Sequence, residues 1–172
     1  NDQNGQWAVY KKDLSYNYTN LLQKINSQYF GNSVMYDKNL GVYVGDPGAK
    51  TISRYTYNKL GEYGVTASIA NTFTFKESIT IDATNFGTSM VKADGVVAVS
   101  APNSTNSYVY IGALHPSATK SFIVQQIITF SGKRVGDTMA LSLDKNWLYI
   151  SSLDEAKVYV YKLNDTASRT DT

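Results

Sequence analysis

Apolar side chains recur at every second position in short stretches of this chain, which is the spacing of a β-strand. The clearest stretch is residues 157–163, where Val158 and Val160 alternate with Tyr159 and Tyr161. Because successive side chains of a strand point to opposite faces, the two valines share one face and the two tyrosines the other. With both faces apolar, this strand is predicted to lie in a sheet packed between two neighbours.

A longer pattern occurs three times, starting at Phe30-Gly31, Phe86-Gly87 and Val135-Gly136. Each copy leads into a strand, a tight turn, a second strand and, after a short loop, a third strand. The copies start about 50 residues apart, the length of one four-stranded blade of a β-propeller. First and second strands are predicted at residues 33–36 and 42–45, 89–93 and 96–101, and 138–143 and 147–151; third strands at 53–60, 107–114 and 156–163; and fourth strands at 73–81 and 122–130.

We therefore predict an all-β chain, a β-propeller segment of about three four-stranded blades that is incomplete at both ends. Strands at residues 6–11 and 21–25 resemble the third and fourth strands of a preceding blade. Because closed propellers have about four to eight blades, we expect a longer polypeptide or other copies to complete the ring. The predicted units are residues 1–29 (end of a preceding blade), 30–85 and 86–134 (blades), 135–163 (partial blade) and 164–172 (polar tail).

The composition supports this fold class and narrows the partners. Fourteen Tyr, six Phe and two Trp beside only three Pro are typical of an all-β protein. A formal charge of +2, with scattered basic residues, argues against tight nucleic-acid binding. There is no cysteine for disulfides or thiolate metal sites. Apolar runs such as residues 96–99 fall far short of the roughly 20 residues of a membrane span, so no membrane partner is expected.

The start of each copy, together with the end of its second strand, resembles FG-GAP-type propeller repeats. The resemblance implies glycine where a neighbouring backbone passes closely and proline where a strand leaves its ladder. The paired motifs are Phe30-Gly31 with Gly45-Asp46-Pro47, Phe86-Gly87 with Ser100-Ala101-Pro102, and Val135-Gly136 with Ser151-Ser152-Leu153.

Such repeats, rich in Asn, Ser, Thr and Tyr, are similar to those of virion proteins of tailed bacteriophages, including tail nozzle and baseplate proteins. The resemblance implies a non-catalytic structural or interaction module of a virion tail. Its partners would be protein subunits of a larger assembly or the remainder of the same propeller. The alternative is an extracellular or cell-surface adhesin or carbohydrate-binding propeller that contacts a host surface glycan.

Many FG-GAP repeats carry an acidic calcium loop of the Asp-x-Asp-x-Asp-Gly kind in the first turn, and none of the three turns here has it. Asp37 with Asn39 is the nearest approach. The simpler interpretation is that Asp37, Asp94 and Asp144 each cap a hairpin turn through the local backbone. We predict no metal site and no cofactor.

Catalytic candidates are few. The single histidine, His115, lies in a loop, where it is expected to be exposed. The adjacent acids Asp154 and Glu155 fit a solvated turn neutralised by Lys157 better than a glycosidase pair, because neighbours in a strand point to opposite faces. No P-loop, dinucleotide fingerprint or zinc motif occurs, and residues 45–48 are interpreted as a turn. We therefore predict no catalytic residue and no enzyme.

Aromatic side chains at strand ends and loop tips are the remaining functional candidates. Tyr55, Tyr63 and Trp147 are the examples. Such side chains either stack on sugars or form a protein interface, or they pack between neighbouring sheets. The sequence leaves both interpretations open, so no binding residue is assigned.

Overall fold

The computed structural model describes residues 6–7, 10–12, 18–20, 23–24, 29–58, 73–116 and 120–163. Within these residues the chain is all-β and contains no helix. The strands are β1 (Gln6–Trp7), β2 (Tyr10–Lys12), β3 (Tyr18–Asn20), β4 (Gln23–Lys24), β5 (Ser33–Asp37), β6 (Gly41–Asp46), β7 (Thr51–Tyr57), β8 (Phe73–Thr80), β9 (Met90–Ala93), β10 (Val96–Ala101), β11 (Asn106–Leu114), β12 (Phe122–Ser131), β13 (Val135–Leu141), β14 (Trp147–Ser152) and β15 (Lys157–Lys162).

Three antiparallel sheets follow one another along the chain, each with its strands in sequence order. The first sheet contains β5 to β8, the second β9 to β12, and the third β13 to β15. Near the start of the chain, β1 pairs with β4 and β2 with β3, both antiparallel. The polar tail predicted at residues 164–172 lies outside the described residues.

From β5 onward, the strand positions agree closely with the sequence analysis. The predicted strands at residues 6–11 and 21–25 lie partly outside the described residues, which place β1 and β2 in the first range and β4 in the second. β10 spans the predicted residues, and the turn before it has positive φ at both Asp94 and Gly95, as a tight hairpin requires. In the third copy, β13 begins earlier than predicted because Val135 already pairs with Ser152 ahead of a register shift. β7 spans Thr51–Tyr57, and the last predicted residues of this strand, 59 and 60, lie outside the described residues.

The core lies between the sheets rather than inside any one of them. In β10 every side chain is buried, and alternate positions face different neighbours. Val97 and Val99 belong to the apolar cluster shared with the first sheet, whereas Val96 and Ala98 belong to the cluster shared with the third. The second sheet is therefore packed on both faces, which is the arrangement that the sequence analysis predicts for the strand at residues 157–163 of the third sheet.

The repeated glycines mark close contacts between successive copies. A Cβ built on Gly45 would lie 2.1 Å from the carbonyl oxygen of Gly87, so a larger residue would push the two backbones apart. Gly87 has a φ of +92° and donates its amide to the Ser100 carbonyl at 3.0 Å. Close backbone approach, the role that the resemblance implies for glycine, is observed at Gly45 and Gly87.

Proline also lies where the motif predicts it. Pro47 directly follows the last residue of β6, and Pro102 directly follows the last residue of β10. Proline has no amide hydrogen and cannot continue a ladder, so it suits the point at which each strand ends.

Candidate protein interface

The candidate site is the face of the third sheet that is turned away from the second sheet. We call it the open face and define it by Trp147, Tyr149, Val158 and Val160. Tyr149 pairs across the ladder with Val160, which places the two side chains next to each other. Val158 and Val160 are 60% and 54% exposed, and the two aromatic residues are each 38% exposed. Four large apolar side chains thus form one exposed surface.

The opposite face of the same sheet is packed against the second sheet. Leu148 and Ile150 alternate with Trp147 and Tyr149 along β14 and lie in the cluster shared with the second sheet. Tyr159 and Tyr161 pack against the same cluster. The division of valines and tyrosines predicted for β15 is therefore confirmed, while only its tyrosine face is covered within the described residues.

Each of the first two sheets has an equivalent face, and there it is buried. Val158 pairs with Ser151, in the same way that Ile52 pairs with Gly45 and Val109 with Ser100. Gly45, Ser100 and Ser151 each begin the three-residue motif at the end of the second strand, which we call the motif step. Ile52 is 2% exposed and Val109 is 0% exposed.

The position of Tyr149 gives the same result. Tyr149, Tyr43 and Ala98 each lie two residues before that motif step, and Tyr43 is only 1% exposed because it packs against the second sheet. The open face thus has the composition of a packed interface, and none of the described sheets covers it.

Ion pairs join the first turn of one sheet to the next sheet. Asp37 pairs with Lys92 at 2.7 Å, and Asp94 pairs with Lys145. Burial alone would raise the pKa of Asp37, but Lys92 and the backbone amides of Asn39 and Leu40 lower it overall. The Lys145 ammonium lowers the pKa of Asp94.

The predicted capping role holds for two of the three turn aspartates. Asp37 accepts the amides of Asn39 and Leu40 at 2.8 and 2.9 Å. Asp144 accepts the Asn146 amide at 3.1 Å and the Ser142 hydroxyl, and these bonds lower its pKa, the Ser142 bond most. Asp94 instead pairs with Lys145 of the next sheet.

A polar network crosses the interface between the first and second sheets. The Tyr43 hydroxyl donates to the Ser121 hydroxyl at 2.9 Å, and the Ser121 amide donates to Glu77 at 3.0 Å. Glu77 in turn pairs with Arg54 at 2.6 Å. Burial raises the pKa of Tyr43 to about 12, although the Ser121 bond opposes that shift. These polar groups fix how the two sheets meet.

The two acids of the adjacent pair have different partners. Glu155 lies 3.0 Å from the ammonium groups of both Lys133 and Lys157, and the Tyr159 hydroxyl donates to it. The Tyr159 bond, followed by the two lysines, lowers the pKa of Glu155 to about 2. Asp154 accepts the backbone amide of Arg134. The predicted neutralisation by Lys157 is confirmed, and a carboxyl held ionised is the opposite of what a general acid needs.

The other candidates divide between packing and surface. Tyr55 is buried and meets Phe75 edge to face at 5.7 Å, so the packing interpretation is right for this residue and the surface interpretation is wrong. Trp147 belongs to the open face, whereas Tyr63 lies outside the described residues. His115 is exposed, as predicted, and its amide donates to the Ser121 carbonyl.

The described ranges contain no group of three or more His, Cys, Asp or Glu side chains arranged to hold a metal ion. They also contain no helix with the length and hydropathy needed to cross a bilayer.

The sequence as a whole matches no protein-family model and no curated protein.

Proposed function

We propose that this chain is a non-catalytic structural and interaction module whose open face packs against another protein subunit. The observation that carries the proposal is the exposure of Trp147, Tyr149, Val158 and Val160 on one side of a sheet whose other side is packed. Exposed apolar surface of this kind is characteristic of protein–protein interfaces, and Trp and Tyr are enriched there.

The architecture that we propose is propeller-like, with the sheets as blades. Its support is that β9, the first strand of the second sheet, contacts the first strands of both neighbours, β5 and β13. Sheets that meet along their first strands fan out from a common axis, as blades do. From the resemblance to FG-GAP-type repeats we place the module in a bacteriophage tail, and peptides of this chain in purified virions of its source would test that placement.

Light scattering coupled to size exclusion tests the interaction role. We expect the full chain to self-associate as its concentration rises, since the open face will bury itself against another molecule. Val160→Lys should shift this association to higher concentration. Ile127→Lys is the matched control, because Ile127 is an equally exposed aliphatic residue on β12, away from the open face. A chain that stays monomeric throughout, or two variants with the same effect, would contradict the proposal.

A carbohydrate-binding module is the alternative function. It is favoured by the two exposed aromatic side chains, Trp147 and Tyr149, which lie on the same face of β14 and could stack on sugar rings. A glycan array separates the two functions. Binding that is lost in Trp147→Ala would support the carbohydrate role, whereas no glycan signal and no calcium-dependent shift in melting temperature favour the scaffold.

A further inference from the structure

Resting on the proposed interaction role, we infer that the occupant of the open face is a further antiparallel β-sheet of the same repeat. Three features define this partner: valine-sized side chains on its second strand, a lysine that pairs with Asp144, and a glycine that passes over Ser151. Each feature follows from the two interfaces between sheets that are already formed in the chain.

The expected size of the partner's apolar side chains follows from the two formed interfaces, in which one sheet contributes a larger side chain and its neighbour a smaller one. In the cluster between the first and second sheets, the first sheet contributes the large Tyr43 and the second sheet contributes the smaller Val97 and Val99. In the cluster between the second and third sheets, the second sheet contributes the small Ala98 and the third contributes the larger Leu148. Side chains between packed layers fill the space with few voids, so a large residue on one side requires a smaller one opposite.

The open face presents Tyr149 and therefore resembles the first sheet rather than the second. A sheet with valines at the corresponding positions would fit it, because Val97 and Val99 share one buried cluster with Tyr43 in the interface already formed. The second sheet of this same chain has that surface.

The lysine expected on the partner follows from the ion pairs of the turn aspartates. The first turns of the first and second sheets each direct a carboxylate to a lysine of the following sheet, as Asp37 does to Lys92 and Asp94 to Lys145. The first turn of the third sheet carries Asp144, which bonds to residues of its own turn. A following sheet with a lysine like Lys92 would continue the series.

The glycine expected on the partner follows from the contacts of the motif step in the two formed interfaces. Gly45 lies against Gly87 of the next copy, and Ser100 lies against Gly136 of the next, where an added Cβ would come within 2.9 Å of the serine side chain. Ser151 occupies the corresponding place in the third sheet. A glycine at the start of the occupant would avoid the same clash there.

The experiment extends the full chain by one sheet of its own. Residues 58–134 are inserted after Leu163, so that a copy of β8 continues the third sheet and a copy of the second sheet follows. Trp7→Phe leaves Trp147 as the single tryptophan, since the inserted residues contain none. In the extended chain, the partly exposed Trp147 side chain should become buried, as Val96 is at the equivalent position at the start of β10.

Acrylamide quenching of Trp147 is measured where sedimentation shows each protein to be monomeric, so that self-association cannot shield it. We expect quenching to fall in the extended chain relative to the unextended chain. The matched control is the same extension with Val97→Asn and Val99→Asn in the added copy only, and it should leave Trp147 accessible. Asp144→Asn should weaken the protection, since it removes the charge and retains a turn-capping side chain.

Equal quenching in the extension and its control would overturn the inference. So would an extension that adds no β-sheet signal in circular dichroism, because the same residues form a sheet against the first sheet. Neither result touches the proposed interaction role, which fails only if the unextended chain does not associate through its open face.

Discussion

Replacing Phe86 by alanine tests whether the repeated motif holds neighbouring sheets together. Phe86 is fully buried in the cluster between the first and second sheets, and its ring meets Tyr110 at a centroid distance of 5.4 Å and an angle of 90°. Removing a buried phenylalanine side chain costs about 3–5 kcal/mol. The melting temperature of a chain of this size should then fall by about 6–20 °C, at about 2–4 °C per kcal/mol.

Urea unfolding followed by circular dichroism and by tryptophan fluorescence gives the free energy of unfolding directly. Phe86→Leu retains apolar volume and loses the perpendicular ring contact, so it should cost less than the alanine variant. Phe75→Ala is the aromatic control, because Phe75 is 52% exposed and its T-shaped contact with Tyr55 lies within the first sheet. If Phe86→Ala destabilised the protein no more than Phe75→Ala, the motif phenylalanine would not be a core residue and would not hold the two sheets together.

Three further variants test the contacts within and between sheets. Gly45→Ala should destabilise by about 1–3 kcal/mol in urea, since its Cβ would collide with the Gly87 carbonyl; full stability would refute that close approach. Tyr43→Phe should cost about 1 kcal/mol by removing a buried hydroxyl bond, whereas the exposed Tyr36→Phe should be neutral. The pKa of Glu155 in the folded protein, about 2, lies below its ordinary value of 4.5. The contribution of Glu155 to the free energy of unfolding is therefore present above pH 4.5 and disappears as the pH falls toward 2. The melting temperatures of the wild-type and Glu155→Gln proteins should therefore differ near neutral pH and converge toward pH 2, and a constant gap would contradict the pairing.

Strand positions could be predicted from the sequence because they depend on local signals. The Asp94-Gly95 turn, the alternation around Val158 and the prolines after β6 and β10 each act within a few residues. The close approach at Gly45 is implied by the resemblance to FG-GAP-type repeats, since glycine leaves room for a neighbouring backbone.

The interface could not be predicted in the same way, because burial depends on what lies opposite a residue. Tyr55 and Trp147 look alike in sequence, yet one is buried between rings and the other belongs to an exposed face. The pairs Asp37 with Lys92 and Asp94 with Lys145 join residues from different copies. Only the way in which the sheets stack brings them together, and no short sequence window contains both partners.

The stacking also implies an order of stability along the chain. In an array of repeated units, each unit is stabilised by its own contacts and by the interface with each neighbour. The second sheet has packed clusters on both faces, whereas the third has one cluster, around Leu148 and Ile150, and one open face. The third sheet should therefore open more readily than the second, with faster amide exchange in β14 than in β10. A partner that covers the open face would remove this difference, because its contacts with Tyr149 and Val160 would also stabilise the third sheet against local opening.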